Sequence, residues 1–207
     1  MDKDQRVPSI LLFGIPCAGK GTVGKAIAKE LPRYFYFLSS GDLIREACAK
    51  GGLLADEING YFRRGELTPD SLIVPMYIEG VIGRRTSEII SPNHTLLVDG
   101  MCRTPEQAEE LSDLLDFKEV LHLDNVPGSE VLARCRKRAV EEKRSDDTLE
   151  AMSRRIKDYW NISWPTLDFF HRNGIRIHPL NALLPKDVVV KNAVDYMKIK
   201  YRISSEW

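Results

Sequence analysis

Gly14, Gly19 and Lys20 stand at the spacing G-x-x-x-x-G-K, between the apolar run Ser9–Phe13 and a helical segment from Val23 to Leu31. In that order, backbone N–H groups of a glycine-rich turn and of a helix N-terminus point at one place. Lys20 adds a mobile positive charge there, and the chemistry this suits is the holding of a polyphosphate. Gly21 follows the lysine where Ser or Thr completes the strict phosphate-loop pattern, and the hydroxyl arrives one residue later as Thr22. Arginines recur at other element ends. Arg45 follows Ser39-Ser40-Gly41-Asp42, and Arg103 follows Asp99-Gly100-Met101-Cys102. Arg134 and Arg138 are four apart and so share a helix face; Arg144 precedes Asp146-Asp147, and Arg155 has Tyr159 one turn later. Singly, each is an ordinary solvated cation. Converged, they suit phosphoryl transfer between two nucleotides, which asks for positioning and charge neutralisation by bidentate guanidinium groups. Asp42 and Asp99, acids that follow apolar strands, are candidates for holding Mg²⁺, directly or through its waters. Asp146 and Asp147 either aim the arginines or cap the helix that follows.

These groups need a scaffold that brings distant strand ends together. Strands are expected at Ile10–Phe13, Tyr34–Leu38, Thr95–Val98, Val120–Leu123 and Ile175–His178, mostly near-continuous apolar runs of the kind covered on both faces. Helices are expected at Lys20–Leu31, Gly41–Lys50, Ala55–Arg64, Pro69–Arg85, Pro105–Leu115, Ser129–Glu142, Asp147–Asn173 and Lys186–Lys200. The alternation predicts an α/β fold, a five-stranded parallel sheet flanked by helices. Open parallel sheets bind ligands beyond the carboxyl ends of their strands, where Lys20, Asp42 and Asp99 would lie.

With 207 residues the chain fits one compact domain. Thirty basic and thirty acidic residues cancel, so no global charge points to nucleic acid or a membrane surface. Met1–Arg6 is charged and lacks the apolar core of a signal peptide, and no apolar run approaches a membrane span. Cys17, Cys48, Cys102 and Cys135 have no paired C-x-x-C spacing, which predicts free thiols in a cytoplasmic protein.

Six blocks in order carry a resemblance to the adenylate kinase family of nucleoside monophosphate kinases: Gly14 to Thr22, Ser40 to Arg45, Gly65 to Asp70, Asp99 to Thr104 with Gln107, Arg134-x-x-x-Arg138, and Arg144 to Asp147 with Arg155. The resemblance implies a phosphate-loop core at 1–38, 66–137 and 146–207, a monophosphate-binding insertion at about 39–65 and a short lid at about 138–145. It implies ATP at Gly14, Cys17, Ala18, Gly19, Lys20, Gly21, Thr22, Arg134 and Leu184. It implies the acceptor monophosphate at Ser40, Arg45, Thr68, Gly100, Arg103, Gln107, Arg144 and Arg155, with the Gln107 amide on the adenine edge. Lys20, Arg103, Arg138, Arg144 and Arg155 would then carry the transfer. The implied reaction is Mg²⁺-dependent transfer from ATP to AMP by a monomer with no nucleic-acid or membrane partner. A UMP/CMP-type kinase, or a nucleotide-binding module with little turnover, stands as the alternative. Thr104 after Arg103, where UMP/CMP-type relatives often carry Asn, favours AMP.

Three positions depart from the family pattern. Cys17 replaces a glycine, Met101-Cys102 replaces Phe-Pro, and Ala182 stands where glycine is frequent. A positive φ at Cys17 would be strained. A thiol among converging N–H dipoles beside Lys20 would also be reactive, with Cys102 a candidate disulfide partner; alternatively Cys17 and Cys102 are small buried side chains that fill the space of Gly and Pro.

Overall fold

The computed structural model describes residues 6–64, 66, 68–141 and 148–203. Five strands form one sheet: β1 (Val7–Gly14), β2 (Phe35–Ser39), β3 (Thr95–Asp99), β4 (Leu115–Asp124) and β5 (Arg176–Asn181), in the order β2-β3-β1-β4-β5, with every pairing parallel. Burial explains the apolar runs. Ile10, Leu11, Leu96, Leu97, Val98, Val120 and Leu121 have no exposed surface, because helices cover both faces of the central strands. β1 lies between β3 and β4, so successive connections leave it in opposite directions along the sheet. The crevice this reversal opens lies beyond the carboxyl ends of β1 and β3, where Leu12 pairs with Asp99.

The helices are α1 (Lys20–Glu30), α2 (Ser40–Lys50), α3 (Leu53–Arg64), α4 (Asp70–Thr86), α5 (Pro105–Leu111), α6 (Gly128–Glu141), α7 (Leu149–Asp158), α8 (Thr166–Arg172) and α9 (Lys186–Lys200). α1 buries Val23, Gly24 and Ile27. A Cβ at Gly24 would lie 2.3 Å from the Phe37 ring, so glycine sets how closely this helix meets the sheet. α9 is tied to the sheet by a buried polar link, in which Glu119 Oε2 accepts from Tyr196 Oη at 2.7 Å and from Lys200 Nζ at 2.5 Å.

Two expected helices differ. The one expected over 105–115 ends at Leu111, because Leu115 and Phe117 are taken into β4 opposite Val7 and Ser9. The single helix expected over 147–173 is α7, a π-helical turn at Tyr159–Ser163, and α8. Pro165 has no N–H to continue an α-helical ladder, and the turn before it widens so that Trp164 N donates to the Tyr159 carbonyl at 2.7 Å. Thr148 caps α7, its hydroxyl accepting from Ala151 N at 3.1 Å, so the cap is not one of the preceding aspartates; Asp146 and Asp147 lie outside the described residues. No described helix is long and apolar enough to cross a membrane.

Candidate active site

The turn between β1 and α1 is shaped by positive φ. Gly14 has φ 150, Cys17 φ 61 and Gly19 φ 102. A Cβ at Gly14 would lie 2.5 Å from the Leu123 carbonyl oxygen, so only glycine lets the loop leave β1 beside β4. Cys17 thus takes the left-handed conformation its sequence position suggested. Lys20, the first residue of α1, folds back over the loop: its Nζ donates to the carbonyls of Gly14 at 2.6 Å and Ile15 at 3.1 Å.

The cysteines overturn the free-thiol expectation. Cys17 is joined to Cys135 on α6, with the two Cα atoms 5.6 Å apart and a sequence separation of 118. α6 runs beside the loop and presents Cys135 from its buried face, so the partner is Cys135 and not Cys102, and Cys17 is no free reactive thiol. Cys102 is a buried thiol at φ 55, and Cys48 is free and half-buried.

Around the loop lies a cavity of about 940 Å³. Its floor is Gly14, Cys17, Ala18, Gly19, Lys20, Gly21 and Thr22. The β2–α2 and β3–α5 connections bring Ser40, Asp42, Arg45, Asp99, Gly100, Arg103 and Gln107 to one end of it. α6 supplies Arg134 and Arg138, α7 supplies Arg155, and Leu184 stands on the rim. Every sequence-expected site residue that is described lies along this one cavity; Arg144 lies outside the described residues.

Local structure explains the placement. Gly100 turns the chain after β3 at φ 81, with so little room that a Cβ would lie 2.4 Å from Ser40 Oγ. Arg103 Nε donates to the Gly100 carbonyl at 3.0 Å, which folds the guanidinium back toward the strand ends. Arg45 is ion-paired with Asp42 on the same helix. Arg134 Nε meets Glu130 at 2.7 Å, and its Nη1 donates to the Ala182 carbonyl at 2.8 Å, binding α6 to the loop before α9. Thr68 Oγ1 is buried on the cavity wall with no hydrogen-bond partner among the described residues.

Electrostatics mark the cavity more sharply. Burial pulls Lys20 down to about 8; Asp99 opposes this, while the like charges of Arg103 and Arg138 add to it. Arg103 is lowered by burial and then by Arg155, with Asp99, Asp158 and Asp70 pulling the other way. Asp99 is raised by burial against the pull of Lys20 and Arg103. Burial first, and then the neighbouring arginines, therefore disfavour the charges of Lys20 and Arg103, an arrangement that a polyanion would relieve. Asp99 faces the start of α1, since a Cβ on Gly21 would sit 3.6 Å from its Oδ2. Among the described residues no group of three or more His, Cys, Asp or Glu converges. A hard cation beside Asp99 would therefore draw its other oxygens from Thr22, water and phosphate.

Three contributors escaped the sequence reading. Asp158 faces Arg103 electrostatically, and Asp70 hydrogen-bonds Gln107. His122 Nε2 pairs with Tyr159 Oη at 3.1 Å beneath the α7 end of the cleft. Tyr159 was legible as one turn beyond Arg155; the other links join residues far apart in sequence.

Sheet order, phosphate loop and converging cations define a phosphate-loop α/β protein built to hold nucleotide phosphates. Residues 12–175 match the family model described as adenylate kinase. Adenylate kinase of Leptospira biflexa is 34% identical over 181 residues, covering 84% of this chain and 91% of that protein. Adenylate kinase of Thermus thermophilus is 33% identical over 171 residues, covering 81% and 85% respectively. Adenylate kinase of Cyanothece sp. is 32% identical over 199 residues, covering 91% and 96%. The chain belongs to the adenylate kinase family.

Proposed function

We propose that this enzyme transfers the γ-phosphoryl group of ATP to AMP, giving two ADP, by aligning the two nucleotides end to end in the 940 Å³ cavity. The observation that carries this reading is the mutual crowding of Lys20, Arg103, Arg138 and Arg155. Burial and the neighbouring arginines disfavour the charges of Lys20 and Arg103, and triphosphate and monophosphate oxygens entering together would compensate them.

The loop N–H groups and Lys20 hold the β- and γ-phosphates of ATP. Arg45 and Arg103 grip the AMP phosphate, and Arg138, Arg155 and Arg144 neutralise the group in flight. Lys20 would exchange its two carbonyl partners for phosphate oxygens. Ser40 and the orphaned Thr68 hydroxyl line the acceptor end, with Gln107 against the base. Arg134 and Leu184 border the ATP base. Mg²⁺ bound with ATP would supply charge neutralisation at the phosphates, and Asp99, with Asp42, would hold its waters. Residues 39–65 would serve as the part over the monophosphate and 138–145 as a short lid that excludes water; Gly65 and residues 142–145 lie outside the described residues.

The test is coupled ADP formation from MgATP with AMP, UMP, CMP and GMP in parallel. AMP is expected to be preferred by at least tenfold in kcat/KM. ATP binding with no transfer to any acceptor would overturn the reading.

A further inference from the structure

Gln107 is buried at the acceptor end of the cavity, and both ends of its amide are already engaged. Its Oε1 accepts from the Arg103 backbone N–H at 2.8 Å, and its Nε2 donates to Asp70 Oδ1 at 2.5 Å. The two partners are chemically one-sided. A backbone N–H only donates, and an ionised carboxylate only accepts. Turning the amide over would set oxygen against carboxylate and NH₂ against N–H, leaving two repulsive contacts where two hydrogen bonds stood. The backbone of Gln107 is fixed as well, its N–H donating to the Thr104 hydroxyl at 3.1 Å. Asp70 is exposed at the start of α4 and is not itself part of the cavity wall.

We infer that Asp70 is a specificity-determining positioning residue: it locks the Gln107 amide in one polarity and thereby selects 6-aminopurine over 6-oxopurine monophosphates. The inference rests on the acceptor-site reading above. With one Oε1 lone pair and one Nε2 hydrogen taken, one acceptor and one donor remain for a base. That pair complements an edge offering an N–H₂ donor beside a ring-nitrogen acceptor, as adenine does. A 6-oxopurine reverses the donor and acceptor on its Watson–Crick edge and would need the amide turned over there, while its other edge offers two acceptors, which neither polarity of the amide satisfies. Discrimination of this kind is strong because the wrong base leaves buried polar groups unpaired.

The experiment compares Asp70→Asn with the wild type, using AMP and IMP as acceptors with MgATP. The substituted asparagine keeps the size of the aspartate and can face Gln107 with either its carbonyl or its NH₂, so one of the two contacts that fix the polarity is removed and only the Arg103 N–H still opposes the turned amide. The ratio of kcat/KM for AMP to that for IMP is expected to fall at least tenfold, with activity toward IMP rising. Asp70 also supports the Arg103 charge, but that effect falls on the phosphate common to both acceptors and cancels in the ratio. Equal losses toward AMP and IMP, ratio unchanged, would overturn the lock and leave Asp70 a structural helix-start residue. A wild type that uses IMP as well as AMP would overturn the polarity argument while leaving phosphotransfer intact. A wild type that uses neither would fail at the acceptor-site reading itself.

Discussion

Lys20 carries its charge in a place that disfavours it, and this is open to measurement. Its folded value of about 8 lies below the ordinary 10.5, so above pH 8 the folded protein sheds a proton that the unfolded chain still holds up to about 10.5. The unfolded state binds more protons in that window, and stability must therefore rise with pH through it. The full span corresponds to on the order of 3 kcal/mol. Urea midpoints of wild type and Lys20→Met are expected to diverge between pH 8 and 10, rising only where the lysine is present. The same variant is expected to lose about a thousandfold in kcat, since an uncharged thioether replaces the ammonium at the phosphates. Phosphate oxygens would restore the ammonium, so ATP binding at pH 8 is expected to take up protons. Titration calorimetry in buffers of different ionisation enthalpy reads that uptake, and the Lys20→Met variant should not show it.

At the scale of elements, the β3–α5 turn does the most with the fewest residues. It must leave a buried strand, pass Ser40 and aim Arg103, and Gly100 makes this possible at φ 81 with Ser40 Oγ where a side chain would begin. Gly100→Ala is expected to destabilise the fold by about 1–3 kcal/mol and to raise KM for AMP well above any change for ATP. Urea denaturation and paired KM measurements check both parts. The turn was also the most legible element from sequence, because apolar Leu96–Val98 followed by Asp99-Gly100 announces a strand end with a reversal. Strand existence and the arginine-bearing helices were legible for the same reason, each being a local pattern. The π-turn at Tyr159–Ser163 was not, since the apolar periodicity continues through it and only Trp164-Pro165 hints at the break. Nor was the Asp70–Gln107 contact, which joins residues 37 apart across two helix starts.

At the scale of the whole molecule, the Cys17–Cys135 bond ties the phosphate loop to the helix bearing Arg134 and Arg138. No spacing rule could have paired them, because the contact exists only once β4 has laid α6 beside β1. Closing a loop of this length restricts the unfolded chain strongly, and its loss is expected to lower stability by about 2–5 kcal/mol. Dithiothreitol should shift the urea midpoint of the wild type downward, while Cys135→Ser should start low and ignore the reductant. Equal midpoints for oxidised and reduced wild type would contradict the bond's contribution.

That bond also changes what a broken backbone would mean. The span from Cys17 to Cys135 holds α1, β2, α2, α3, α4, β3, α5, β4 and the first half of α6, which includes both walls of the acceptor end. In the oxidised protein this span is a covalent ring with β5 and the last helices as its tail. A protease cutting once within the ring releases nothing, and the nicked pieces migrate as one species until a reductant parts them.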